Sequence, residues 1–228
     1  MPMPPEGIFL SALPGLEDIL AAEARERGFA EVRQISGGVT IAGGWHEVWR
    51  ANLQLRCASR VLARIGSFRA LHPAQLDKRA RKFNWAAYLK PDQPLRIEAT
   101  CRKSKIYHAG AAASRVERAI TDSLGAPFQK EAGLRLLVRI EDDLCTFSLD
   151  TSGAPLHQRG HKQAIGKAPL RETMAASFLR AAGFRGNEPL IDPMCGSGTF
   201  ILEGAEIALG LAPGRIRAFA FEALPSFD

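Results

Sequence analysis

The run Leu190-Ile191-Asp192-Pro193-Met194-Cys195-Gly196-Ser197-Gly198-Thr199-Phe200-Ile201-Leu202 constrains the fold of this chain more than any other stretch. Apolar residues lead to an acid, a turn with two glycines follows, and an apolar helix begins. A strand that turns tightly into a helix is the building unit of a layered α/β domain. Gly196 and Gly198 permit backbone conformations closed to other residues, and the free N–H groups of the helix start face whatever lies over the turn. The order of parts predicts a site for a nucleotide-type ligand.

The segments before this turn follow a different plan. Ile8–Ala12 is strand-like, Leu13-Pro14-Gly15 makes a turn, and Leu16, Ile19, Leu20 and Ala24 recur at helical spacing until Gly28. Glu31–Ile35 and Gly38–Ala42 are expected as a hairpin across Gly37-Gly38. A helix over Trp45–Arg56 and a strand over Leu62–Arg69 complete a compact α+β, ferredoxin-like pattern. A helix opens at His72-Pro73 and runs through the basic stretch to Lys82. A strand follows at Leu95–Cys101, then a helix at Ala109–Leu124 and a hairpin of Leu134–Ile140 with Leu144–Leu149. Asp150–Lys167 has no periodicity and reads as a linker. Pro169 is expected at the first position of a further helix, which Gly183 stops.

With 46% apolar residues the chain can bury real cores. None of its apolar runs nears the about 20 residues that span a bilayer, and Met1–Gly7 lacks the basic start and apolar centre of a secretion signal. The expected compartment is the cytoplasm. Cys57, Cys101, Cys145 and Cys195 are far apart and form no C-x-x-C pair, so neither a metal site nor a disulfide framework is expected. A net charge of +6 points to a polyanionic partner.

Two nucleotide sites can be set aside. A phosphate-binding P-loop places lysine after its second glycine, where Thr199 stands, and the third glycine of a dinucleotide fingerprint is missing after Phe200-Ile201. A turn that accepts the amino-acid part of S-adenosylmethionine fits better. Gly196 and Gly198 give room, Ser197 and Thr199 can hydrogen-bond or cap the helix, and Asp192 can accept from an ammonium group. Cys195 has a competing reading as a methyl-carrying nucleophile, which is disfavoured.

Three strings stand in close order: Leu156-His157-Gln158-Arg159-Gly160-His161, Ala168-Pro169-Leu170-Arg171-Glu172-Thr173-Met174, and Asp192-Pro193-Met194-Cys195-Gly196-Ser197-Gly198-Thr199. Together they resemble the bacterial RNA methyltransferases that carry a THUMP domain, in particular those acting on N2 of a guanine in 23S ribosomal RNA. The resemblance implies a ferredoxin-like domain over residues 1–68, a THUMP RNA-binding domain over 69–152, and a linker with an incomplete Rossmann-like methyltransferase domain over 153–228. It implies S-adenosylmethionine as cofactor, held by Asp192, Pro193, Met194, Cys195, Gly196, Ser197, Gly198 and Thr199, with Pro169, Leu170, Glu172 and Thr173 beside the same pocket. RNA is the implied partner, ribosomal before transfer RNA.

The chain departs from the family where chemistry is concerned. The catalytic signature Asn-Pro-Pro-Tyr is absent from its 228 residues, so no catalytic residue is assigned. Glu222 is disfavoured as the ribose ligand, since Ala218–Glu222 resembles an insert that precedes the family's second strand. The stretch from Pro155 onward is shorter than the about 100–150 residues of a usual domain, which is expected of an N-terminal fragment or a shortened product.

For RNA, the expected contacts are Arg102, Lys103, Lys105, Tyr107, His108, Arg115 and Arg118. Cations close together neutralise phosphates, and Tyr107 can stack on an unpaired base. Lys78, Arg79, Arg81 and Lys82 form a second cluster. His157, Arg159 and His161 are expected as linker or substrate-channel contacts, and Trp45, Trp49 and Trp85 as core. Two functions stay open: part of an S-adenosylmethionine-dependent RNA methyltransferase, and an RNA-binding module without catalysis.

Overall fold

The computed structural model describes residues 3–129, 133–160 and 170–227. Its elements run β1 (Gly7–Ser11), α1 (Glu17–Glu26), β2 (Ala30–Ile35), β3 (Gly38–Ala42), α2 (Trp45–Gln54), β4 (Arg60–Arg69), α3 (Pro73–Lys82), β5 (Leu95–Arg102), α4 (Ala109–Leu124), β6 (Leu134–Glu141), β7 (Leu144–Asp150), α5 (Glu172–Ala181) and α6 (Thr199–Ala208). Two compact units result. One gathers residues 1–7, 62–153 and 220–228; the other gathers 8–61 and 154–219.

In the first unit the strands lie in the order β4-β7-β6-β5. β6 and β7 form the hairpin expected from their alternation, with Val138 opposite Phe147 and Ile140 opposite Cys145. β5 runs parallel to β6, Leu95 opposite Leu134, and α4 is the crossover that a parallel pair requires. Inward residues alternate along these strands: Leu136, Val138, Ile140, Phe147 and Leu149 are all buried. Trp85 closes this core. Its indole N–H donates to the Ala80 carbonyl at 2.8 Å and its ring packs on Phe83 and Phe147. A buried indole that keeps its hydrogen bond is a core residue, as its spacing implies.

The second unit holds the antiparallel order β2-β3-β1, with Ile8 opposite Ile41 and Leu10 opposite Val39, together with α1, α2, α5 and α6. Trp45 and Val48 are buried on α2, while Trp49 is half-buried. The helix expected to open at Pro169 begins instead at Glu172, after an extended Arg171; Pro169 itself lies outside the described residues.

Leu190–Asp192, expected as a strand, makes no strand pairing among the described residues. It keeps the alternation of one. Leu190 faces inward against α6, at a point where a Cβ on Gly204 would come within 2.4 Å of its Cδ2, whereas Ile191 is 84% exposed. Extended backbone becomes a strand only when a neighbour accepts and donates its ladder bonds, and among the described residues none does so.

Candidate functional site

The turn at 192–199 is built from its own backbone. Asp192 Oδ1 accepts from the Met194 N–H at 3.1 Å, and the Cys195 carbonyl accepts from the Gly198 N–H at 2.7 Å. Gly196 and Gly198 have φ of 52° and 70°. These left-handed conformations are what require glycine, because beyond the adjoining residues no described atom lies within 4 Å of where either Cβ would stand. The space above both residues is open to an incoming group.

Gly198 is the N-cap of α6, and as a glycine it brings no side-chain cap of its own. Of the roles expected for Ser197 and Thr199, to hydrogen-bond or to cap, the hydrogen bond of Thr199 is present. Thr199 is the first helical residue and is buried, with its Oγ1 donating to the Leu170 carbonyl at 3.3 Å. That bond ties the turn to the approach to α5, where Glu172 and Thr173 are buried. Thus Leu170 and Thr199 are brought together as expected. By contrast, Pro193, Met194, Cys195 and Gly196 lie on the exposed side, Met194 at 89%. The N-terminal N–H groups of α6 therefore present a partial positive charge next to a half-buried carboxylate and two open glycines.

Behind the turn, α6 is held by buried charges that no reading of the sequence anticipated. Glu203 is fully buried; its Oε2 accepts from Arg56 at 3.0 Å and its Oε1 from Arg159 at 3.1 Å. Arg56 also reaches Glu206 at 3.1 Å and the Leu211 carbonyl, and Arg215 bonds Glu206 at 2.6 Å. Glu23 of α1 accepts from the backbone N–H groups of Arg56 and Cys57, both at 2.9 Å. Arg159, expected as a linker or channel contact, is thus a buried structural cation that also donates to the carbonyls of Leu156 and Arg56. A long flexible cation is placed inside only when a carboxylate and carbonyls satisfy it. Its neighbour His157 is half-buried, and burial pushes its pKa below the usual value. His161 lies outside the described residues.

The basic stretch sits in the other unit, where β5 runs out. Ile106 is buried and pins the loop, so that Arg102, Lys103, Lys105, Tyr107 and His108 stay exposed, Tyr107 at 84%. His108 has a structural role as well: it is the N-cap of α4, its Nδ1 accepting from the Ala111 N–H at 3.0 Å. Arg118 is exposed on α4 and Arg115 half-exposed. The cations are not alone. Glu141 is held below the usual carboxylate range chiefly by its bond to Arg139, then by the charges of Arg102 and Lys103. In the α3 cluster, Arg81 is taken by Asp77 and Asp122, and Arg79 lies over the Phe68 ring, while Lys78 and Lys82 are exposed.

Cys195 is exposed, whereas burial pushes Cys145 up to about 12 and Cys57 well above the ordinary thiol value. Among the described residues no three His, Cys, Asp or Glu side chains gather as metal ligands. Among the described residues no helix is long and apolar enough to cross a membrane. Glu222 is exposed, in a short 3-10 turn at Ala220–Ala223.

Three family models match the chain in succession: the RlmL ferredoxin-like domain over residues 7–62, the THUMP domain over 73–150, and the RMKL-like methyltransferase domain over 159–227. A relative from Psychromonas ingrahamii named ribosomal RNA large subunit methyltransferase K/L is 34% identical, covering 96% of this chain and 30% of its own length. A predicted N6-adenine-specific DNA methylase from Listeria monocytogenes superposes with a TM-score of 0.86 at 33% identity, covering 95% of this chain and 59% of that one. SMU.472, solved in complex with SAH, gives a TM-score of 0.81 at 28% identity, covering 97% and 60%. The chain spans between 30% and 59% of the length of the curated relatives it matches.

Proposed function

We propose that the chain, whose successive parts match the RlmL ferredoxin-like domain, the THUMP domain and the RMKL-like methyltransferase domain, belongs with the THUMP-bearing class I methyltransferases and serves an S-adenosylmethionine-dependent RNA methylation. In this reading residues 1–68, 69–152 and 153–228 are the three functional parts, and the protein acts in the cytoplasm. The substrate is ribosomal RNA, with N2 of a guanine as acceptor; transfer RNA is the rival substrate.

One observation carries the reading: a helix that starts on a glycine N-cap, with two left-handed glycines over which no described residue closes the space, beside a half-buried acid. These features fit the amino-acid end of the cofactor. Asp192 keeps one oxygen on its own turn, and among the described residues the other accepts no bond, so it can take an ammonium group. The first N–H groups of α6 suit a carboxylate. When bound, S-adenosylmethionine supplies an electrophilic methyl group. The protein's part is to hold that group in line with an incoming amine, for which orientation is the main contribution. Leu170, Glu172 and Thr173 support the turn from behind, and Pro169 is assigned to the same wall. Arg102, Lys103, Lys105, Tyr107, His108, Arg115 and Arg118 would hold the RNA.

The second reading is an RNA-binding module that does not methylate, to which the exposed basic loop at 102–108 is equally suited. Two measurements on the 228-residue chain separate the readings. Calorimetry with S-adenosylmethionine and salt-dependent binding of a ribosomal RNA fragment are both expected to give signals. RNA binding with no cofactor binding would favour the module.

A further inference from the structure

Four non-glycine residues among those described have left-handed backbone, and three of them meet at one corner of the first unit: Lys103, Asp142 and Asp143, with φ of 48°, 49° and 63°. Asp142 and Asp143 form the two-residue turn of the β6–β7 hairpin. Positive φ at both positions is the turn that normally selects Asn-Gly. Two aspartates hold that turn, and a lysine in the same left-handed region stands opposite, a backbone arrangement that bulkier residues seldom adopt.

The hydrogen bonds at this corner form a closed set. The Lys105 N–H donates to Asp143 Oδ1 at 2.8 Å, the Asp143 N–H donates to Ser104 Oγ at 2.9 Å, and Ser104 Oγ donates to the Arg102 carbonyl at 3.1 Å. The Asp142 N–H donates to the same Arg102 carbonyl at 3.3 Å, and the Ala70 N–H fastens the turn by donating to the Asp143 carbonyl at 2.9 Å. Asp143 is therefore anchored on β4 and grips the basic loop through both its backbone and its side chain. Buried Ile106 closes the far end of the grip.

We propose that Asp143 and Ser104 are positioning residues for RNA binding, a latch that sets the 102–108 loop so that Lys103, Lys105 and Tyr107 face outward before RNA arrives. Mobile loops and long cationic side chains lose freedom when they dock, and fixing the backbone beforehand removes part of that cost. Simple electrostatics argues the opposite sign. Asp143 is an anion beside the expected phosphate contacts, so deleting its charge alone would tighten RNA binding. The latch requires that deleting its grip weaken it. The inference rests on the proposed RNA-binding role of this loop.

Asp143→Gly is the decisive variant. Glycine suits the left-handed turn position, so the hairpin keeps its fold while the carboxylate is lost. Binding of a fluorescein-labelled RNA hairpin with a single-stranded tail is measured by anisotropy on the full chain. The latch predicts about 3- to 10-fold weaker binding for Asp143→Gly. Asp143→Asn keeps the Oδ1 acceptor and is expected to bind as well as the parent or better, and Ser104→Ala to lose affinity like the glycine variant. If Asp143→Gly binds as well as the parent or tighter, the latch is overturned. The pair Arg102→Ala/Lys105→Ala separates the two ideas. If it leaves binding unchanged, the RNA role of the loop fails, and the latch falls with it. If it weakens binding while Asp143→Gly does not, only the latch fails.

Discussion

Replacing Arg159 with methionine tests how α6 is held. Arg159 and its partner Glu203 are both buried, at 2% and 0% exposure, and Arg159 donates to Glu203 Oε1 and to the carbonyls of Leu156 and Arg56. Methionine fills much of the same volume and supplies none of those donors. Removing one member of a buried ion pair costs about 3–5 kcal/mol, because the partner stays charged in the interior. Arg56 still reaches Glu203 Oε2, which places the expected loss near the low end, about 3 kcal/mol. For a chain of this size each kcal/mol moves Tm by about 2–4 °C, so the drop should be about 6–12 °C. Thermal unfolding followed by circular dichroism reads this directly. The double variant Arg159→Met/Glu203→Leu removes both charges of the pair while Arg56 keeps Glu206 and the Leu211 carbonyl, and it should recover most of the loss. A single variant that melts within about 2 °C of the parent would refute the reasoning, since a shift that small is worth under about 1 kcal/mol.

Three further outcomes are expected. At neutral pH iodoacetamide should label the exposed Cys195 and spare Cys57 and Cys145, whose pKa values burial has raised; mass spectrometry of the native protein checks this. The pKa of His157 is lowered by burial, so the unfolded chain takes up the proton first. Its contribution to stability is therefore full above about 6.5 and falls as pH drops towards the folded value, and a His157→Asn variant should lose that part of the acid slope in denaturant titrations. Arg102→Ala/Lys105→Ala should lower the slope of log affinity for RNA against log salt by ~0.7–0.9 for each phosphate contact removed.

Much of the fold was legible because local patterns carried it. The alternation of Leu134–Ile140 and Leu144–Leu149 specified a hairpin that the structure contains as β6 and β7, and Ala109–Leu124 is α4 residue for residue. Leu190–Asp192 shows the limit of such patterns. Its alternation is intact, but a strand also needs a neighbour, and pairing is a non-local fact. The buried charges escaped notice for a related reason. Glu23, Arg56, Arg159, Glu203 and Glu206 belong to residue types that usually face water, and their partners are distant in sequence. One signal was present: Glu203 and Glu206 interrupt an otherwise apolar helix three residues apart, so one face of α6 carries two acids. His108 was read for its charge, whereas its position just before an alanine-rich helix marks it as a cap.

The most direct test of the central claim is calorimetric titration of the 228-residue chain and its Asp192→Ala variant with S-adenosylmethionine, SAH and ATP. The account predicts that the parent binds the first two and not ATP, and that Asp192→Ala loses at least about tenfold in affinity for both, about 1.4 kcal/mol for a charged contact to the ammonium group. Binding of ATP, or undiminished binding of S-adenosylmethionine by the variant, would contradict it.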